Sequence, residues 1–178
     1  MTGPSWRPYE NPGEHPLADA ARDELLAAQL ECVVIWSRPD GWPIGVVHWF
    51  VWRDGRFWVT AGAGRPRVEA LRAEPRSTVV VSNAGALPGA PRSVAARTVA
   101  TVHDDGAVME AWFARELAAK GHGAGTSRAA RFERMLRETP RVVVELEPVA
   151  WTSYDAARME AGLSAARRPD GGAGPVSP

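Results

Sequence analysis

The residues best suited to chemistry stand together in the segment Val59-Thr60-Ala61-Gly62-Ala63-Gly64-Arg65-Pro66-Arg67. An apolar run ends in a hydroxyl residue, a glycine-rich bend follows, and two arginines open the next element. Glycine lets backbone N–H groups approach an anion closely. A helix N-terminus adds partial positive charge, and guanidinium forks match phosphate oxygens. In physical terms this is a phosphate cradle made of Thr60, Ala61, Gly62, Arg65 and Arg67. The same spacing also describes a plain strand-to-helix turn with solvated arginines, and spacing alone does not choose between them.

A second candidate lies a few residues earlier, at Val47-His48-Trp49. In a strand His48 points opposite to its two neighbours. Its imidazole is able to hydrogen-bond a ring carbonyl, give a proton to a substrate, or ligate heme iron. A satisfied strand histidine at an interface explains it equally well, so His48 is the one catalytic candidate and no other catalytic residue is assigned. His103 beside Asp104 and Asp105 reads as a polar turn before a helix, and His122 among glycines as a loop. No serine sits in a nucleophile-elbow context, and no His-x-x-x-His or paired carboxylates offer a metal or glycosidic site. Cys32 lies in an apolar run and, as the one cysteine, builds neither a disulfide framework nor a zinc site.

Elements to carry these residues follow from periodicity. Leu17 to Leu30 has apolar residues at helical spacing. Cys32–Ser37, Ile44–Trp52 and Arg56–Ala61 are β-branched and aromatic runs. The turn signals Pro39-Asp40-Gly41-Trp42-Pro43 and Asp54-Gly55 separate them, and Asp-Gly between apolar strands predicts a tight hairpin. Val68 and Leu71 give a short helix that Pro75 ends. Strands follow at Ser77–Ser82 and Ser93–His103, joined by the loop 84–91. A helix after Gly106 reaches about Lys120 with Met109, Trp112, Phe113 and Leu117 on one face. A flexible break at 121–125 precedes another helix, capped by Ser127. The last strand runs from Arg141 past Pro148 to Tyr154. Consecutive antiparallel strands with inserted helices predict a mainly β, α+β fold, a six-stranded antiparallel barrel that removes its open edges by closing. The order is not that of alternating βαβ units.

The chain has 178 residues, balanced charge (21 basic, 21 acidic) and a Pro-rich start. That excludes a global signal for nucleic acid or an anionic membrane, and no run is long enough to span a bilayer as a helix. The N-terminus has no apolar core of a signal peptide, so the cytoplasm is the expected location. Residues 1–16 are expected as a flexible arm, 17–160 as the barrel domain, and 161–178 as a disordered tail. Eight tryptophans supply flat area for core, interface or planar ligand.

The stretch from Cys32 to Asn83 resembles the pyridoxamine 5′-phosphate oxidase-like superfamily of FMN-binding split barrels, closest to its deazaflavin-dependent reductase branch. The elements that carry the likeness are Pro39-Asp40-Gly41-Trp42-Pro43, Trp49-Phe50, Asp54-Gly55, Thr60, Arg65 and Arg67, and Leu71-Arg72-Ala73-Glu74-Pro75-Arg76, with Trp151-Thr152-Ser153-Tyr154-Asp155 at the close. The resemblance implies a flavin- or deazaflavin-dependent oxidoreductase using FMN or F-420, with heme as the lesser alternative. It implies that Thr60, Arg65 and Arg67 hold the cofactor phosphate and that the ring lies along Val47, His48 and Trp49. It further implies a homodimer with cofactor sites at the subunit interface and a small-molecule substrate. Alternatives are a flavin- or heme-binding barrel without turnover, or a barrel that has lost its cofactor. Pro66 stands where the family often has a basic residue, and His48 where it commonly has an apolar one.

Overall fold

The computed structural model describes residues 16–166. The expected arm, apart from Pro16, and residues 167–178 of the expected tail lie outside the described residues. The rest of that tail, 161–166, continues a helix.

Seven strands form one antiparallel sheet: β1 Glu31–Ser37, β2 Pro43–Trp49, β3 Val51–Arg53, β4 Arg56–Gly62, β5 Arg76–Ser82, β6 Arg92–His103 and β7 Arg141–Asp155. Their order across the sheet is β2-β1-β5-β6-β7-β4-β3. The extra strand arises because the run read as one strand over 44–52 breaks at Phe50. β2 pairs with β1, whereas β3 pairs with β4 at the opposite edge. A single residue joins the two edges, so the sheet has to curl until they meet. Phe50 fills that corner fully buried, and its N–H donates to the Leu30 carbonyl at 3.1 Å.

Curvature is also written into the long strands. The β6–β7 register shifts between Arg97 and Thr98, where Thr98 faces Pro148 and Arg97 faces Ala150. Val149 is the extra residue of this bulge, beside a proline that has no N–H to give the ladder; a bulge bends its strand and raises the twist. The hairpin at Asp54-Gly55 forms as expected, with both residues at positive φ (53° and 73°).

Alternation along β4 divides its neighbours. Phe57, Val59 and Ala61 face the barrel core with Val34, Phe50, Val79, Val81, Val144 and Leu146. Trp58 and Thr60 face outward, toward a helical layer. That layer is a π-helical turn Met109–Phe113, α3 Ala114–His122 and α4 Ser127–Glu138. Met109, Phe113, Leu117 and Leu136 pack there on Val51 and Val143. The cap of α4 is Thr126, whose side chain accepts from the Ala129 N–H, and not Ser127. The glycine break also begins later than expected, since Gly121 and His122 close α3. The remaining helices are α1 Asp19–Ala28, which buries Leu25 and Leu26, α2 Pro66–Ala73, which buries Val68 and Leu71, and α5 Ala156–Ala166. No described helix is long and apolar enough to cross a membrane.

Candidate functional site

The seam where the sheet's edges meet is also where the candidate residues gather. β2 and β4 come within 8 Å between Cα atoms yet share no ladder. Outside this seam, under α3 and α4, lies an open cleft of about 390 Å³. Val47, His48 and Trp49 line one wall. Thr60, Ala61, Gly62, Arg65 and Arg67 line another, so all eight residues singled out from sequence border this cleft. Val46, Leu117, Phe132, Met135, Leu136 and Arg141 complete it.

Arg141 is the polar residue that sequence reasoning missed. It opens β7 directly after Pro140, and the pairing of Gly62 with Arg141 sets it beside the end of β4. Its Nε donates to Thr60 Oγ1 at 3.1 Å, while that hydroxyl donates its own proton to the Val142 carbonyl at 2.8 Å. Thr60 therefore orients a guanidinium at the cleft wall. The signal available in sequence was the pairing partner of β4: an antiparallel neighbour starts where β4 ends.

Three guanidiniums thus converge. Among the described residues none of Arg65, Arg67 and Arg141 forms an ion pair, whereas Arg53, Arg56, Arg72 and Arg137 each hold a carboxylate. Among the described residues no acidic side chain lines the cleft. Burial, then the charge of Arg65, lowers the pKa of Arg67. Burial, then Arg67 and Arg65, lowers that of Arg141. Both stay charged, because guanidinium does not deprotonate in proteins. The Nε of Arg67 is buried with no hydrogen-bond partner, and an unsatisfied buried donor costs about 1–3 kcal/mol. An oxyanion in the cleft would offset the charge of the three guanidiniums, so the site fits a phosphate-bearing group. The anion-binding capacity is in side chains rather than in a glycine nest, since neither Gly62 nor Gly64 takes a positive φ. α2 contributes its N-terminus, with Arg65 as N-cap residue and Pro66 in the first turn, where the missing N–H loses nothing.

His48 sits at the barrel mouth, half-buried, bordering the cleft on one side and the core residues Val34, Val59 and Val144 on the other. Burial and the charge of Arg67 hold its imidazole down at about 4. The Thr60 backbone opposes this lowering, whereas Arg141 deepens it. It is a neutral imidazole near pH 7. Trp49 is fixed by an aromatic group, with its ring 5.3 Å from His122 and 5.4 Å from Phe132 between centroids. His122 is therefore a packing residue of α3. His103 is held by Glu145 at 2.9 Å and lies against Trp58. No cluster of three metal-binding side chains occurs among the described residues. Cys32 is buried, which pushes its thiol up to about 12 and leaves it unreactive.

Comparison with known proteins agrees with this architecture. The sequence pattern of the family described as pyridoxamine 5′-phosphate oxidase matches residues 17–155. No curated protein matches. Among solved structures, a conserved hypothetical protein from Mycobacterium tuberculosis superposes with a TM-score of 0.71 at 18% identity, covering 90% of this chain and 96% of that one. An FAD-binding protein from Mesorhizobium loti gives 0.58 at 15% identity, covering 78% and 93%. An F-420 reductase gives 0.54 at 23% identity, covering 73% and 94%. These likenesses show the fold. The family pattern extends from before α1 to the last residue of β7, through every strand that shapes the cleft, and the chain belongs to the pyridoxamine 5′-phosphate oxidase family of split β-barrels.

Proposed function

We propose that the cleft binds FMN or deazaflavin F-420 and that the protein is an oxidoreductase moving a hydride between that cofactor and a small organic substrate. The observation that carries this reading is the convergence of Arg65, Arg67 and Arg141, without a carboxylate among the described residues, beside the β2 wall of Val47, His48 and Trp49. When bound, the ring system supplies the hydride chemistry, and the protein supplies binding, orientation and electrostatics. Arg65, Arg67 and Arg141 hold the anionic end. Trp49 and Val47 offer the flat apolar surface along β2, and Leu117, Phe132, Met135 and Leu136 keep water from that side. His48, at the inner wall, orients a polar ring edge. Val47 is 58% exposed beside the cleft; we assign it to contact with a second copy, in a homodimer that covers the open side of each site in the cytoplasm.

The absorption spectrum of the purified protein, with titration by FMN, F-420 and heme, tests the cofactor. A flavin or deazaflavin band supports the reading. A Soret band moves the protein to heme binding, with His48 the candidate ligand. A colourless protein that takes up none of the three identifies a barrel without cofactor. Changing Arg65 and Arg67 together to Ala removes two charge-assisted contacts worth about 1.5–3 kcal/mol each, so affinity should fall by two powers of ten or more with the fold intact. Unchanged affinity would remove the arginines from the site.

A further inference from the structure

We propose that the cleft couples anion capture to protonation: a doubly charged oxyanion, such as a phosphate monoester, settles on Arg65, Arg67 and Arg141, and His48 becomes more fully protonated from solvent as it does so. This rests on the anion-binding reading of the cleft and adds how that binding responds to pH.

The geometry leaves His48 facing cations from two elements. Arg65 and Arg67 come from α2 and its cap, and Arg141 comes from the start of β7. β4 presents the Thr60 backbone, which favours the protonated ring. On β1 the register partner of His48 is Cys32, an uncharged thiol. Glu31, one residue earlier, pairs with Trp49 and accepts from its Nε1 at 3.4 Å, on the alternate face. From the helical layer the cleft receives Leu117, Phe132, Met135 and Leu136, all uncharged. Lys120 of α3 is turned away, with its Nζ donating to the Leu26 carbonyl at 3.2 Å and lying 4.0 Å from the centre of the Phe50 ring. His122 lies against Trp49.

Among the described residues no carboxylate faces the imidazole, so the Arg67 and Arg141 guanidiniums oppose its charge and no acidic side chain favours it. A dianion on those guanidiniums reverses the balance. It cancels most of the repulsion and places negative charge near the ring, which favours the imidazolium. Linkage then requires the converse: a protonated His48 tightens the anion, with each unit of pKa gained on binding worth tenfold in affinity.

The test uses the full chain and sulfate, a dianion that does not titrate between pH 4 and 8, so that every proton counted belongs to the protein. Calorimetry at pH 6 in two buffers of different ionisation enthalpy reads the protons taken up. The wild type should take up a fraction of a proton per sulfate and bind sulfate on the order of tenfold tighter at pH 5 than at pH 7. His48→Gln should take up none and lose that His48-dependent gain. Sulfate binding to wild type with no proton uptake would overturn the proposal and leave the anion cleft standing. Failure of sulfate to bind, or binding that is the same in the Arg65→Ala/Arg67→Ala variant, would overturn the underlying reading. Should His48→Gln not fold, the NMR titration of the His48 ring in wild type decides. A midpoint raised by sulfate supports the proposal, and an unmoved one refutes it.

Discussion

Thr60→Val separates two ways in which a hydroxyl can serve an anion site. The side chain is buried, and its oxygen is engaged twice, giving a proton to Val142 O at 2.8 Å and accepting one from Arg141 Nε at 3.1 Å. Valine keeps the shape and removes both. A neutral bond is worth about 1 kcal/mol and one to a charged group about 1.5 kcal/mol, offset by about 0.8 kcal/mol for the added methyl. The net loss is about 2 kcal/mol, or roughly 6 °C in Tm for a chain of this size. For anion affinity the consequence is indirect. Arg141 loses its anchor, and ordering it again on binding costs about 1 kcal/mol, roughly fivefold. Arg141→Met removes the guanidinium itself, at about 2 kcal/mol. Calorimetry with inorganic phosphate on wild type, each single variant and the double variant closes a mutant cycle. The expected outcome is that Thr60→Val weakens phosphate binding only when Arg141 is present. An equal loss in the Arg141→Met background would refute positioning, because the hydroxyl would then be touching the anion directly.

Other parts of the structure are equally open to test. Gly121→Ala should destabilise by about 1–3 kcal/mol despite alanine's better helix propensity, because a Cβ there falls 2.4 Å from Trp49 Cζ3; chemical denaturation followed by tryptophan fluorescence reads it, and a stabilised variant would contradict the packing. The depressed pKa of His48, about 4 against an ordinary 6.5, makes the unfolded chain bind the extra proton. His48 should then contribute stability in full above pH 6.5 and lose it as pH falls toward 4, at up to about 1.4 kcal/mol per pH unit. His48→Gln should flatten that part of the stability–pH curve, and an unchanged slope would contradict it. Cys32 should react with a thiol reagent only as fast as the protein opens, so labelling in native buffer at a free-thiol rate would place it outside the core.

Local signals were legible where local chemistry decides. Asp54-Gly55 needs positive φ and takes it. The three-residue cluster Val47, His48 and Trp49 and the turn at 60–67 were readable because each is contiguous, although their shared cleft is a tertiary fact. The break at Phe50 carries no glycine or proline, since it comes from closing the sheet, so an unbroken apolar run gave no sign of it. Arg141 lies 81 positions from Thr60, and the pairing of β4 with β7 alone brings them together. Gly121 read as a helix breaker because its purpose is room for Trp49, a contact that no local pattern records.

The one-residue passage at Phe50 makes chain length itself a constraint. Side chains alternate faces along a strand, so a single insertion or deletion there would turn every residue of β2, or every residue of β3, to the wrong side. Val47 and His48 would exchange places, bringing the imidazole out of the barrel mouth and a valine in. The loop at 84–91 has slack to absorb such a change. The junction at Phe50 has none, and in this barrel it is a count of residues that keeps His48 among the arginines.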